Sequence, residues 1–223
     1  MEFSFGDFDS VTNLELFAEQ ALSTLHFEKQ AQAKGFSAVV GIDEAGRGPL
    51  AGPVVAAAVI LPDRFQLDGL TDSKKLSEKK REELFPLIRR QARAYGIGLA
   101  SAQEVDRMNI LQATLLAMQR ALKKLQGEGD YLLIDGITPL PVALPQQTLK
   151  KGDSRSLSIA AASILAKVAR DRLMVQLDRQ YPGYGFAGHK GYGTLAHRQA
   201  IAAKGPALPH RLTFAGVKEF VEF

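Results

Sequence analysis

GIDEAGRGPLAGPVVAAAVI, running from Gly41 to Ile60, decides how this chain is read. The apolar run Ala38-Val39-Val40 leads into two adjacent carboxylates, Asp43 and Glu44. A glycine-rich loop, Gly46-Arg47-Gly48-Pro49, comes next, followed by a second apolar run. Both runs are apolar enough to be strands buried on two faces, Ser37–Asp43 and Val54–Leu61. The loop between them lacks the terminal lysine and hydroxyl residue of a nucleotide-triphosphate loop. Gly46, Gly48 and Gly52 resemble a dinucleotide fingerprint, but that motif must open a helix, and here Pro49 and Pro53 interrupt. What remains is a tight turn of bare backbone, which lets a ligand approach main-chain N–H and C=O groups closely.

Outward from this hairpin, strands and helices alternate. The spacing predicts a helix over residues 9–34, with Leu14, Phe17, Ala18, Ala21, Leu22 and Leu25 on one face. Thr12 and Glu15 suit a capping box, and Gly35 suits the closing position. Basic helix Ser77–Arg93, strand Ala94–Ala100, helix Ala102–Leu125, a strand ending at Asp135 and a short strand Gln146–Lys150 follow. Helix Ser156–Gln180 carries the stripe Ile159, Ala162, Ala166, Ala169, Leu173 and Leu177, with Lys167 and Arg170 expected on a polar face. Residues 181–192 read as loop and Leu195–Lys204 as a last helix. The pattern predicts an α/β fold with a central mixed sheet flanked by helices. Residues 1–35 form an N-terminal helical extension to one domain, 36–223, which ends in a helical and loop region.

Three acids fall where apolar elements stop: Asp43, Asp135 and Asp153. Strand ends in an open α/β sheet converge on one crevice. Carboxylates gathered there, Glu44 among them, repel one another unless protonated or bridged by cations. The chain has no cysteine, and no histidine cluster of zinc type accompanies these acids. An all-oxygen site favours hard ions, Mg²⁺ or Mn²⁺. Two such ions can clamp the attacking and leaving oxygens of a phosphodiester.

Charge distribution points the same way. Net charge is only +4, yet residues 150–211 hold eleven Lys/Arg against three acids, and Lys74 to Arg93 hold eight bases against three acids. Such clustering suits a polyanion, nucleic acid being the commonest. Three tyrosines and a phenylalanine in residues 181–194 offer faces for sugars or bases, Tyr192 most of all between Gly191 and Gly193, while Lys190 can reach a phosphate. Tyr181 and Phe186 read as core aromatics. The acidic N-terminus lacks a secretory apolar segment, and no apolar run is long enough to span a bilayer. The expectation is a soluble, cytoplasmic monomer with no membrane partner, in which the N-terminal helix packs on the domain or on another protein.

The motifs GIDEAGRGPLAGPVV (41–55), TDSKKLSEKKRE (71–82), YLLIDG (131–136), KGDSRSLSIAAASILAKVARDR (151–172), YGFAGHKGYGT (184–194) and HRLTF (210–214), with the NILQATLLAMQRA region (109–121), resemble the bacterial ribonuclease HII family over residues 37 to 217. The resemblance implies an RNase H-like fold. It implies cleavage of the RNA strand of RNA/DNA hybrids, and cleavage 5′ of single ribonucleotides in duplex DNA, leaving 3′-hydroxyl and 5′-phosphate ends. It implies that Asp43, Glu44, Asp135 and Asp153 hold two divalent ions. Gly46, Arg47 and Gly48 match the loop that reads the 2′-hydroxyl through its backbone, Tyr192 the tyrosine that stacks on the deoxyribose, and Ser73 and Lys74 look like phosphate contacts. The sister family, ribonuclease HIII, typically has lysine where Arg47 stands and a larger N-terminal domain than residues 1–35 could form. Thr213 stands where serine is commoner, in a tail that the resemblance leaves away from the chemistry. The competing readings are a ribonuclease HIII-like enzyme or another metal-dependent nuclease, for plain DNA or RNA, and a non-catalytic nucleic-acid-binding module.

Overall fold

The computed structural model describes residues 25–221 apart from residues 64, 66, 71 and 72. Five strands form one sheet: β1 (Val39–Ala45), β2 (Val54–Ile60), β3 (Ala94–Ala100), β4 (Tyr131–Asp135) and β5 (Gln146–Leu149). Their spatial order is β3-β2-β1-β4-β5. β1 pairs antiparallel with β2, β2 antiparallel with β3, and β4 lies parallel to both β1 and β5. The sheet is therefore mixed, as expected, with β1 at its centre.

Helices cover both faces. On one side lie α3 (Ala102–Met108) and α4 (Ile110–Lys123), packed on Val40, Ile42, Ala56, Ala58 and Leu132. On the other lie α1 (His26–Ala33), α2 (Glu78–Gln91) and the long α5 (Leu157–Gln180). A four-residue α6 (Phe186–His189) and α7 (Leu195–Lys204) close the C-terminal end. No helix among the described residues is long and apolar enough to cross a membrane.

Three local features differ from the reading above. β1 runs on through Glu44 to Ala45, so Asp43 lies inside the strand rather than at its end. The helix expected over Ala102–Leu125 breaks at Asn109, whose φ is 74° and whose Oδ1 accepts from Leu111 and Gln112 N–H, capping α4. And residues 181–192 are not all loop, since α6 forms within them. Of the expected N-terminal helix, α1 is the described part; Thr12 and Glu15 lie outside the described residues. Gly35 does close α1: at φ 96° it donates to Gln32 O, and Phe36 N donates to Ala31 O.

α1 has a structural task on the sheet. Phe27 and Ala31 pack on Val39, Tyr131, Leu133 and Ile159. Its buried Glu28 accepts hydrogen bonds from Ser156 Oγ, Ser158 N and Ser158 Oγ, at 2.6, 3.0 and 2.7 Å. A carboxylate at a helix N-terminus meets unsatisfied N–H groups and the positive end of the helix dipole. α5 can approach β1 closely because position 41 is glycine. A Cβ there would fall on the backbone of Ser158 and Ile159.

Candidate metal centre and nucleic-acid face

Side chains alternate along β1, so Ile42 enters the α3–α4 core while Asp43 shares the α5 face with Gly41. Asp43 is 3% exposed. The parallel neighbour β4 ends on Asp135, whose Oδ1 accepts from Gly152 N at 2.6 Å. That bond fixes the 3₁₀ turn Gly152–Ser154, and the turn carries Asp153, also buried. Asp43, Asp135 and Asp153 each bring a carboxylate oxygen to within 4.8 Å of the others. Thus two adjacent strands and one turn, tied by one hydrogen bond, assemble the three aspartates picked from the sequence. Glu44 stands outside that trio, half-buried, with Oε1 3.5 Å from Arg47 Nη1.

Crowding like charges has an electrostatic cost. Burial, then the charges of Glu44 and Asp135, push the Asp43 carboxyl well above the usual range, against hydrogen bonds from Ser163 and the Glu44 N–H. Burial also raises Glu44, with Arg47 pulling it back. Lys74 Nζ lies 3.4 Å from Asp153 Oδ2. The donor set is all carboxylate oxygen, it is charge-dense, and one face of it is only half-buried at Asp135. Those properties fit hard divalent cations, whose coordination relieves the repulsion.

The glycine-rich loop borders this cluster. Gly46 is buried with φ 96°, and a side chain there would run into the Arg170 guanidinium. Arg47 and Gly48 are exposed. Tyr192 stands beside them: a Cβ on Gly48 would lie 4.0 Å from its Cε1, and the residue is 47% exposed. Its backbone is pinned, with N donating to His189 O at 2.9 Å and O contacted by His197 Nδ1 at 2.9 Å.

Other sequence-picked residues sit differently. Lys74 is at the cluster, but the Ser73 hydroxyl is turned inward, 2.8 Å from Ser163 Oγ, and is buried. Lys190, expected to reach a phosphate, instead donates to Ala187 O and lies 3.4 Å from Glu78. Phe186 is core, as expected, while Tyr181 is half-buried. Arg170, expected on a polar helix face, is buried and holds backbone carbonyls. Ser163 was not picked at all: serine inside an alanine-rich helix gives no signal of the acid it faces. Arg211 lies in the quoted HRLTF motif, yet nothing local in that motif shows what its guanidinium touches.

Residues 40–217 match the family model described as ribonuclease HII. A ribonuclease HII from Syntrophotalea carbinolica is 67% identical over 208 residues, covering 93% of this chain and 100% of that one. The solved ribonuclease H2 from Pyrococcus horikoshii OT3 superposes with a TM-score of 0.69 at 26% identity, covering 82% of this chain and 97% of that one. The RNase HII solved in a complex with PCNA from Archaeoglobus fulgidus gives a TM-score of 0.69 at 28% identity, covering 80% and 96%.

Proposed function

This chain belongs to the ribonuclease HII family, and from that premise we propose that its ribonuclease H activity cuts the RNA strand of RNA/DNA hybrids and cuts 5′ of single ribonucleotides embedded in duplex DNA. The products are a 3′-hydroxyl and a 5′-phosphate. The observation that carries the reading is the convergence of Asp43, Asp135 and Asp153 to within 4.8 Å, beside the Gly46–Gly48 loop and Tyr192.

The roles follow from position. Asp43, Asp135 and Asp153, with Glu44 beside them, would hold two divalent ions, Mg²⁺ or Mn²⁺. When bound, such ions supply Lewis-acid stabilisation of charge on the attacking and leaving oxygens. Asp135 has a second task, since its bond to Gly152 N aligns the turn that presents Asp153. Lys74 places a cation at the rim, where a substrate phosphate would lie. The exposed backbone of Arg47 and Gly48 offers N–H donors to a ribose 2′-oxygen, the group that distinguishes RNA from DNA. Tyr192 packs its ring on the adjoining deoxyribose, where a 2′-hydroxyl would crowd it. One chain carries every one of these groups, so a monomer is taken as the active unit.

A panel of four labelled duplexes tests this: all-DNA, all-RNA, RNA/DNA hybrid, and DNA with one ribonucleotide, each with Mg²⁺, Mn²⁺ or EDTA. The expected result is metal-dependent cutting of the last two, with a single 5′ cut at the lone ribonucleotide. Equal cutting of all-DNA or all-RNA duplex would replace the reading with a general metal nuclease. Binding that survives EDTA, with no cutting in either metal, would replace it with a binding module.

A further inference from the structure

The HRLTF segment ends in no active-site residue, yet it buries an arginine completely. Arg211 is 0% exposed and has no carboxylate in ion-pair contact among the described residues. All five of its guanidinium N–H donors go to backbone carbonyls of the glycine-rich loop. Nε bonds Gly52 O at 3.1 Å, Nη1 bonds Arg47 O and Pro49 O at 2.8 Å each, and Nη2 bonds Gly46 O at 2.5 Å and Gly52 O at 2.9 Å. Its own N–H donates to Leu50 O at 2.9 Å. The face of Phe214 lies 5.1 Å from the guanidinium carbon. Burial, with the like charge of Arg170 near it, lowers its pKa to about 9, so the group is still charged at neutral pH.

Such an arrangement constrains the peptide planes on either side of Arg47. No cis peptide occurs among the described residues, and in a trans peptide the C=O and the following N–H point in opposite directions. With Gly46 O and Arg47 O drawn onto Arg211, the N–H groups of Arg47 and Gly48 must face away from it. Neither of those N–H groups donates to another group of the protein among the described residues. Both belong to exposed residues beside Tyr192. Arg170 adds the link to the aromatic loop, with Nε on Pro53 O, Nη2 on Ala51 O and Nη1 on Lys190 O.

We propose that Arg211 is the positioning residue of ribonucleotide recognition: it holds the glycine-rich loop so that the Arg47 and Gly48 N–H groups are aimed outward as a preformed pair of donors. This rests on reading that loop as the 2′-hydroxyl sensor. Lysine cannot replace arginine here, because an ammonium has three donors from one nitrogen and cannot span four carbonyls. The segment is itself anchored from outside. Asp106 accepts from Leu212 N, Thr213 N and Thr213 Oγ1, at 2.9, 3.0 and 2.7 Å.

The test is binding, in EDTA so that nothing is cut, of two DNA duplexes differing by a single 2′-hydroxyl. One hydrogen bond is worth a factor of about five, so two donors give wild type a preference of about 5- to 25-fold for the ribonucleotide duplex. In Arg211→Lys that preference falls to near one, while affinity for the all-DNA duplex and Mn²⁺ affinity by titration stay within about twofold of wild type. Asp106→Ala, a change on the outer side of the segment, is the second variant, and it lowers the preference partway. An undiminished preference in folded Arg211→Lys overturns the proposal. If Arg211→Lys does not fold, an undiminished preference in Asp106→Ala overturns it equally. A wild-type preference near one instead defeats the loop's role as ribose sensor, and this proposal falls with it, leaving the metal site untouched.

Discussion

Asp43→Asn separates what the acidic cluster does for chemistry from what it costs the fold. With carboxylate oxygens within 4.8 Å of one another, each ionised pair repels by about 3.5 kcal/mol at an effective dielectric near 20. Neutralising Asp43 removes its repulsion with Asp135 and Asp153, about 7 kcal/mol at full ionisation, and that with Glu44 besides. Proton uptake and water on the Asp135 side reduce that to an expected gain of about 1–3 kcal/mol, the size of an ordinary strong single-site effect. The amide keeps an oxygen for the Glu44 N–H, now 2.7 Å from Oδ1, so little else changes. The sign follows from linkage. Asp43 holds its proton more tightly folded than unfolded, so the metal-free wild type loses stability as pH rises above about 4. Saturating Mn²⁺ reverses the balance, since a ligand at 100 times its Kd adds about 2.7 kcal/mol to a protein that binds it. Thermal melts in EDTA and in Mn²⁺ at neutral pH are the assay. In a chain of 223 residues, each kcal/mol moves Tm by roughly 2–4 °C. The variant should melt above wild type in EDTA and below it in Mn²⁺, and cut at a rate lower by orders of magnitude. A variant that is less stable in EDTA, or that gains as much from Mn²⁺ as wild type, refutes the electrostatic argument.

Gly41→Ala drives a methyl into the Ser158–Ile159 backbone, costing about 1–3 kcal/mol or more by overpacking; because α5 begins just after Asp153, Mn²⁺ affinity should fall along with Tm, and a variant with normal metal affinity would detach the β1–α5 contact from the site. Tyr192→Ala should weaken cleavage at a single ribonucleotide by about 1–3 kcal/mol of lost stacking, with Tyr192→Phe near wild type in a kcat/KM comparison, since the proposed contact is made by the ring rather than the hydroxyl. His197 is fully buried, with its pKa lowered by burial to about 4; the stability it contributes is complete above pH 6.5 and lost on acidification towards 4, about 3 kcal/mol in all. Burial lowers the pKa of His210 as well, so urea unfolding across that range should show the stability change differing between wild type and His197→Asn by about that amount, and equal slopes would refute the assignment.

Local periodicity was enough for most of the fold, because each apolar face has to be buried by whatever element carries it. Val39–Val40, Val54–Ile60 and the strand ending at Asp135 all stand where the pattern puts them. The pattern is silent on pairing: nothing in those segments says that β1 lies between β2 and β4, or that it is parallel to one and antiparallel to the other. The break at Asn109 was hidden for a related reason. The apolar spacing continues across it, and asparagine is only a weak marker of left-handed backbone. Lys167 and Arg170 show the limit most clearly. Three residues apart on α5, they share a side of the helix in any helical projection. Lys167 does pair locally, with Asp171 at 2.7 Å. Arg170 turns inward because carbonyls at Ala51, Pro53 and Lys190 need a donor, and they belong to segments far away along the chain.

The same distinction divides the site. Carboxylates announce themselves, since an acid has few reasons to follow a buried strand; the residues that aim the machinery do not. Ser163 and Arg211 act through hydrogen bonds to groups fixed elsewhere, so their sequence neighbourhoods look like ordinary helix and tail. Glycine bridges the two cases. Gly46 is visible as a turn residue, but its necessity comes from Arg170 occupying the space a side chain would need and from Arg211 taking its carbonyl. A loop that must show N–H groups to a substrate has to hide its carbonyls somewhere, and a buried guanidinium is the side chain that can donate to four of them at once. An arginine that is buried, without a carboxylate, and bonded to the carbonyls of an exposed glycine-rich loop is therefore itself a mark of a loop built to donate. Here that mark falls on the same glycine-rich loop that the proposed function makes the ribose sensor.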